Sequence, residues 1–317
     1  MALVHSLTNA LFGALLATRN RVPLSTGFRM RTFFILATAV IAVTACGGDK
    51  PKTGAVDATP PATAVAAAPA PMTITAKNYS YEAPDTVAAG MVTIRLVNEG
   101  ADLHHATIIR LTDGRTLADL AAELRTEKPD AQLPAWTHEI AGPNATVPGG
   151  EQSIIEQLDA GTYAIVCFIP SADGVPHFVK GMMRGFTVVP STLAVAPPPT
   201  ADVNVSMVDY AWQITPDITA GKHILKIENA AGQSHEMVIA KLDAGNTPAD
   251  IAQWLAKQVG PMPGKPMGGI TGMSKGSVAY LPIDLEPGDY GIFCFLNDAK
   301  DGKPHVEHGM LKQIAVK

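Results

Sequence analysis

Eight side chains that could hold a soft metal ion fall at matched places along the chain. The first half offers His104, Cys167, His177 and Met182, and the second offers His235, Cys294, His305 and Met310. The spacing is H…C-x9-H-x4-M in the first set and H…C-x10-H-x4-M in the second. Two imidazoles, a thiolate and a thioether are the donor set of a mononuclear type 1 copper site. The mixture has a chemical reason. The thiolate gives a covalent, electron-delocalising bond, the imidazoles suit both Cu(I) and Cu(II), and a weak axial thioether adjusts the potential without forcing a rearrangement. Taken singly, each residue has a plainer reading. A cysteine can be an inert buried thiol, a Cys167–Cys294 disulfide is conceivable, and a methionine fills core gaps, as Met183 does by its pairing with Leu311.

The matched places exist because the chain repeats itself. MVTIRLVNEGADLHHATIIRL (91–111) matches KHILKIENAAGQSHEMVIAKL (222–242), LDAGTYAIVCF (158–168) matches LEPGDYGIFCF (285–295), and PHFVKGMMRGFTVV (176–189) matches PHVEHGMLKQIAVK (304–317). The offset is 131 residues at the first match and 127 at the second, so only the middle differs in length. The repeat pairs His104 with His235 but His105 with Glu236, which favours His104 as the donor. His138 falls in the variable middle, His223 aligns with Val92 and His308 with Lys180, and these three are expected to be structural or solvated.

The elements that must carry these donors read as strands. Val92, Ile94 and Leu96 alternate with Thr93 and Arg95, the period-2 pattern of a strand with one buried face. Further strands are expected at 106–111, 153–158, 162–168 and 185–189, separated by Gly, Pro and Asn turns. One short helix interrupts each copy. Thr247-Pro248-Ala249-Asp250 supplies an N-cap, a first-position Pro and an acid, with Ile251, Trp254 and Leu255 on one face. Thr116, Asp119, Leu120 and Leu124 repeat the arrangement. The expected fold class is all-β: two tandem Greek-key β-sandwiches, at 72–190 and 201–317, each with one inserted helix and joined by a Pro-rich linker at 191–200.

At the donor residues the sequence resembles the cupredoxin family over nearly all of both repeats. The strand carrying Gly161, Tyr163 and Cys167, the His-x3-Gly-Met element and the upstream Asn-x5-His element are similar to those of plastocyanin and its relatives. The long Cys-to-His loop departs from plastocyanin and azurin and is closer to the type 1 site of copper nitrite reductases. The resemblance implies copper, one ion per domain, and electron transfer at both donor sets. It stops at that copper. A nitrite reductase places a second copper through a His just before the Cys, where this chain has Val166 and Phe293, and a multicopper oxidase needs His-x-His pairs, which are missing. An electron carrier rather than an enzyme is therefore expected.

The N-terminus points to export. Residues 1–45 hold four Arg and no acid, and Arg29-Met30-Arg31 precedes an apolar run from Phe33 to Val43, which is short for a bilayer span. Met30 is an alternative start. Val43-Thr44-Ala45-Cys46 resembles a bacterial lipobox, which makes Cys46 a lipidation site and places the protein on the periplasmic side of a membrane or on the cell surface. Residues 46–71, rich in Pro and Ala, read as a disordered tether. Without the leader the net charge falls from −5 to −9, which excludes a nucleic-acid partner and favours a redox partner with a basic docking patch. Two other readings stay open. One is copper storage or delivery, which Met262, Met267 and Met273 in a Gly/Pro-rich segment would suit; the other is a metal-free binding module.

Overall fold

A computed structural model describes residues 71–126, 132–192, 196–257 and 260–317. The leader, Cys46, the tether up to residue 70 and linker positions 193–195 lie outside the described residues.

The first half contains β1 (Met72–Lys77), β2 (Ser80–Glu82), β3 (Thr86–Ala88), β4 (Gly90–Asn98), β5 (Thr107–Leu111), α1 (Leu117–Thr126), β6 (Thr137–Ala141), β7 (Glu151–Leu158), β8 (Gly161–Val166) and β9 (Met183–Val189). The second contains β10 (Val203–Val208), β11 (Ala211–Thr215), β12 (Gly221–Asn229), β13 (His235–Leu242), α2 (Pro248–Lys257), β14 (Gly264–Met273), β15 (Val278–Leu285), β16 (Gly288–Phe293) and β17 (Leu311–Val316). Each half is a two-sheet β-sandwich. One sheet of the first has the order β7-β4-β1-β2, facing β3-β9-β8-β5-β6; the second half places β11-β10-β12-β15 against β14-β13-β16-β17. The chain crosses between sheets at β4–β5, β6–β7 and β7–β8, as Greek-key connections require.

Alternation sets the core. Ile74, Ile94, Leu96, Ile108, Ile154 and Ile165 are fully buried in the first sandwich, and Met207, Leu225, Ile227, Leu281 and Ile292 in the second. Tyr163 and Tyr290, buried in β8 and β16, each hydrogen-bond a backbone carbonyl four residues upstream, Asp159 O at 2.7 Å and Glu286 O at 2.9 Å. These corners fix the strands that lead to the two cysteines. Both helices start on a Thr-x-x-Asp cap: the Asp119 and Asp250 carboxylates accept the backbone N–H of Thr116 (2.8 Å) and Thr247 (2.7 Å) and both threonine hydroxyls at 2.7 Å. Leu120 and Ile251 are the buried anchors of their apolar faces, while the Trp254 indole N–H turns to Gly260 O at 2.8 Å.

The Gly/Pro-rich segment that carries Met267 and Met273 is strand, not a loose tract. Gly268 and Gly269 have φ of 102° and 129°, and a Cβ on Gly269 would meet Met237 O at 1.9 Å. The glycines thus build a bulge in β14 and let β13 approach. Met273 is fully buried opposite His235. Of the three methionines that a delivery role would use, Met267 and Met273 are thus held in the sheet, and Met262 precedes the strand.

The two sandwiches share a seam. β15 pairs antiparallel with β7, with Ala279 opposite Glu156 and Tyr280 opposite Ile155, so four strands of each half form one eight-stranded sheet. Continuing that register sets Leu281 opposite Ile154, and these two are equivalent under the 127-residue offset. A second crossing pairs Pro143 with Ile270, again equivalent residues, flanked by Thr271 N–H to Gly142 O (2.9 Å) and Asn144 N–H to Gly269 O (3.3 Å). Equivalent residues facing each other at two separate places define a pseudo-twofold axis through the seam.

Glu156 is buried in that seam strand, and its Oε2 has no hydrogen-bond partner among the described residues. Burial holds its carboxyl well above the ordinary 4.5, and burial also raises Glu139, which sits on the same seam. A carboxyl that stays protonated when folded but ionises when unfolded makes the unfolded chain bind fewer protons, so stability falls as pH rises from about 4.5. Urea unfolding at pH 5 and pH 7.5 will show this loss. Glu156→Gln will flatten it and raise stability at pH 7.5 by about 1–3 kcal/mol; an unchanged pH dependence in the variant would refute the assignment.

Candidate metal centres

Each upstream histidine is delivered by an asparagine. Asn98, the last residue of β4, donates through Nδ2 to Asp102 O and Thr146 O, both at 2.8 Å, and accepts the Gly100 N–H at 2.8 Å. The 99–103 loop is thereby clamped, and His104 enters a bridge with Thr146. Asn229 repeats this on Gln233 O (2.9 Å), Met273 O (2.6 Å) and the Ala231 N–H (3.0 Å), and so fixes His235. This is the physical content of the Asn-x5-His spacing.

The other three donors of each set come from one strand end and the loop behind it. β8 stops at Val166, and Cys167 turns its N–H to Met182 O at 3.2 Å. His177 N–H returns to Ile169 O at 2.9 Å, and Met182 N–H to His177 O at 3.0 Å. In the second half Cys294 N–H bonds Met310 O (3.2 Å), His305 N–H bonds Leu296 O (2.8 Å) and Met310 N–H bonds His305 O (2.9 Å). Gly181 and Gly309, with φ of 108° and 88°, make the reversal between histidine and methionine that a side chain would strain.

The donors converge. In the first half His104 Nδ1 lies 3.1 Å from His177 Nδ1, which lies 3.4 Å from Cys167 Sγ. In the second, His235 Nδ1 lies 3.1 Å from His305 Nδ1, and Cys294 Sγ is 3.2 Å from His305 Nδ1 and 3.8 Å from His235 Nδ1. All six of these residues, and Met182 and Met310 beside them, are fully buried. Both cysteines are free thiols, so neither the disulfide nor an exposed thiol describes them.

Burial and the neighbouring imidazole push His104 and His305 down to about 4, and burial lowers His177 and His235 as well. With the charged form disfavoured in all four rings, each can offer an Nδ1 lone pair to a cation. Burial pushes the Cys167 thiol up to about 11 and Cys294 well above its usual value, against backbone N–H groups that favour the thiolate: His105 and Ile169 on Cys167, Glu236 and Leu296 on Cys294. Two neutral Nδ1 atoms 3.1 Å apart can share only one proton, whereas a cation between them uses both lone pairs and takes the thiolate in place of a thiol proton. The donor set of each half, one per sandwich, is consistent with type 1 copper.

The surroundings of the two centres differ. His235 Nε2 faces Asp209 Oδ1 at 3.1 Å, and His305 Nε2, without a hydrogen-bond partner among the described residues, lies 3.8 Å from Asp298 Oδ2. The equivalent positions in the first half are Asn78, whose Oδ1 takes the Ala101 N–H, and Ser171. His104 Nε2 and His177 Nε2 have no hydrogen-bond partner among the described residues, and the nearby Asp102 accepts the Tyr79 hydroxyl at 3.1 Å. A third group, Asp298 with Asp301 and His308, is already occupied by the fold. Asp298 accepts from Tyr210 OH (2.6 Å), Gln233 Nε2 (2.9 Å) and Lys300 N–H (2.8 Å), and these bonds hold its carboxyl well below the carboxylate range.

The histidines set aside in the sequence have local partners. His138 meets Ser277 Oγ, His223 meets Asp202 at 2.5 Å, and His308 bonds Asp301 at 3.1 Å beside the Tyr210 ring. Three further side chains flank the centres: His105 and Glu236, which the repeat marks only as non-donors, and Asn144, which it does not mark. His105 (buried) accepts the Phe168 N–H through Nε2 at 2.8 Å, Glu236 accepts the Phe295 N–H at 2.9 Å, and Asn144 lies between them. The available signal was an unlike polar pair, His105 and Glu236, at equivalent positions adjoining a donor.

No protein-family model matches the sequence, and no curated protein is similar enough to match. Among solved structures, an auracyanin from Roseiflexus castenholzii in its dithionite-reduced form is 28% identical, over 37% of this chain and 95% of its own, with a TM-score of 0.27. Auracyanin A from Chloroflexus aurantiacus, titled a "blue" copper protein, is 24% identical over 38% of this chain and all of its own, with a TM-score of 0.28. A copper-containing nitrite reductase from Thermus scotoductus is 11% identical over 77% of this chain and 61% of its own, at 0.21.

Proposed function

We propose that the chain is an exported, membrane-tethered copper protein that transfers electrons through two type 1 centres, His104/Cys167/His177/Met182 and His235/Cys294/His305/Met310. The observation that carries this is the convergence, twice over, of two imidazole Nδ1 atoms and one thiol in a fully buried pocket. Copper bound there supplies a one-electron couple. The chain contributes the rest: imidazoles positioned by Asn98 and Asn229, backbone N–H groups that favour each thiolate, and full burial of the donors.

Burial speaks for electron transfer over copper delivery, since a cargo site must open to release its ion and all eight donors are closed off. The lipobox at Cys46 supports tethering at a periplasmic or outer surface, and the charge of −9 without the leader supports brief, salt-sensitive docking to a basic partner. Copper(II) titration of the full chain tests the core of this reading. Two equivalents will be taken up with an intense visible thiolate-to-copper band that an external chelator removes slowly. A chain that binds without the band refutes the type 1 assignment, and rapid loss to the chelator points to delivery.

A further inference from the structure

A buried chain of hydrogen bonds runs from one cysteine to the other across the seam. His105 Nε2 accepts the N–H of Phe168, the residue after Cys167, at 2.8 Å. Its proton is therefore on Nδ1, which donates to Asn144 Oδ1 at 3.3 Å. Asn144 Nδ2 donates to Glu236 Oε2 at 2.9 Å, and Glu236 Oε1 accepts the N–H of Phe295, the residue after Cys294, at 2.9 Å. The ends are tied a second time, because the backbone N–H of Glu236 points to Cys294 Sγ at 3.4 Å and that of His105 to Cys167.

Every polar atom of this path is used. Asn144 Nδ2 also donates to Ile270 O at 3.0 Å, and its Oδ1 takes the Ala145 N–H at 2.8 Å. His105, Asn144 and Glu236 are all buried, and their burial costs more than apolar packing of the same volume would. Holding a metal at either centre does not require them, since the four donors of each set come from elsewhere. The counterpart of Asn144 across the pseudo-twofold axis, Thr271, is buried, and its Oγ1 has no hydrogen-bond partner among the described residues, so its side chain does not repeat the link.

We propose that His105, Asn144 and Glu236 form the through-bond path by which one electron passes between the two centres within a single chain. This rests on the copper reading above. One centre loses an electron as the other gains it, and each hydrogen in the path stays on its donor, so no proton or atom moves. Hydrogen bonds replace van der Waals gaps along the route, and a dry, saturated path couples donor to acceptor more strongly than a jump through packed side chains. In these terms the three are positioning residues rather than ligands.

The test uses the full chain loaded with two copper ions and reduced by one electron in a fast pulse. Re-equilibration between the centres is then followed in the wild type, in Asn144→Leu and in Thr271→Ala. Asn144→Leu will slow it by about tenfold or more with both absorption bands and both potentials kept, and Thr271→Ala will leave it unchanged. In the copper-free chain, amide exchange at Phe168 and Phe295 will be protected in the wild type and will speed up in Asn144→Leu. An unchanged electron-transfer rate in Asn144→Leu, or unprotected amides in the wild type, overturns the path and leaves the copper reading standing. A wild type with no thiolate-to-copper band overturns both. If Asn144→Leu does not fold, Glu236→Gln replaces it under the same criterion, because the amide sets an NH2 donor where one carboxylate oxygen accepted, against either the Phe295 N–H or Asn144 Nδ2.

Discussion

Cys167→Ser will remove about half of the thiolate-to-copper absorption of the loaded chain, Cys294→Ser the other half, and the double variant all of it. A serine hydroxyl matches the thiol in shape but stays protonated at neutral pH and gives no delocalised bond. The imidazole pairs, 3.1 Å apart at Nδ1 in both halves, are left intact, so weak colourless copper binding through nitrogen will survive. Independence of the two losses follows from the fold, since each cysteine closes the end of its own strand, β8 or β16, within its own sandwich. Stability will hold, because both cysteines are free and no covalent staple is lost. Visible absorption with metal analysis checks the result; equal bands in both single variants and the wild type would refute the assignment of one centre per sandwich.

The second large effect concerns the inequality of the centres. Asp209→Asn will weaken Cu(II) binding at the second centre by about 10- to 100-fold and raise its potential by roughly 60–120 mV, with the first centre unmoved. The amide keeps an oxygen 3.1 Å from His235 Nε2 but loses the negative charge that makes the imidazole a stronger donor to the oxidised metal. Asp298, 3.8 Å from His305 Nε2, adds to the same field. Asn78 and Ser171 occupy these places in the first half, so the wild-type second centre will have the lower potential of the two. Redox titration of the two bands checks both the order and the shift. The reverse order in the wild type would show that Asp102, near the first centre's imidazoles, outweighs the two carboxylates of the second.

The donors were legible because duplication filters them. Among nine histidines and twelve methionines, only those that recur at matched positions with a cysteine stand out, and the structure brings His104, Cys167 and His177 together, as it does His235, Cys294 and His305. The strands and both helix starts were legible from local rules: alternation at Val92, Ile94 and Leu96, and the Thr-x-x-Asp caps. The run expected as a strand at 162–168 ends earlier, at Val166, since Cys167 leaves the ladder to bond Met182.

The seam was not legible. β7 and β15 alternate like any half-buried strand, and nothing in Ser153–Leu158 announces that its open edge pairs with its own counterpart. Asn144 reads as a turn residue after Pro143, and its two long-range bonds, to Glu236 and Ile270, span 92 and 126 residues. His105 was set aside because its repeat partner is an acid. That same mismatch is what allows the contact, a neutral imidazole on one side and a carboxyl on the other.

The pseudo-twofold axis carries a last consequence. Two identical chains meeting across a true axis must set each residue against its own copy, so position 105 would face either a second histidine or a second glutamate. A His–His or Glu–Glu encounter cannot accept and relay hydrogen bonds in the single sense seen from Phe168 to Phe295. Writing the domain twice in one polypeptide releases the interface from that rule. Covalent linkage lets a dimer-like contact become polar in direction, and so lets two like centres differ in what they give and what they receive.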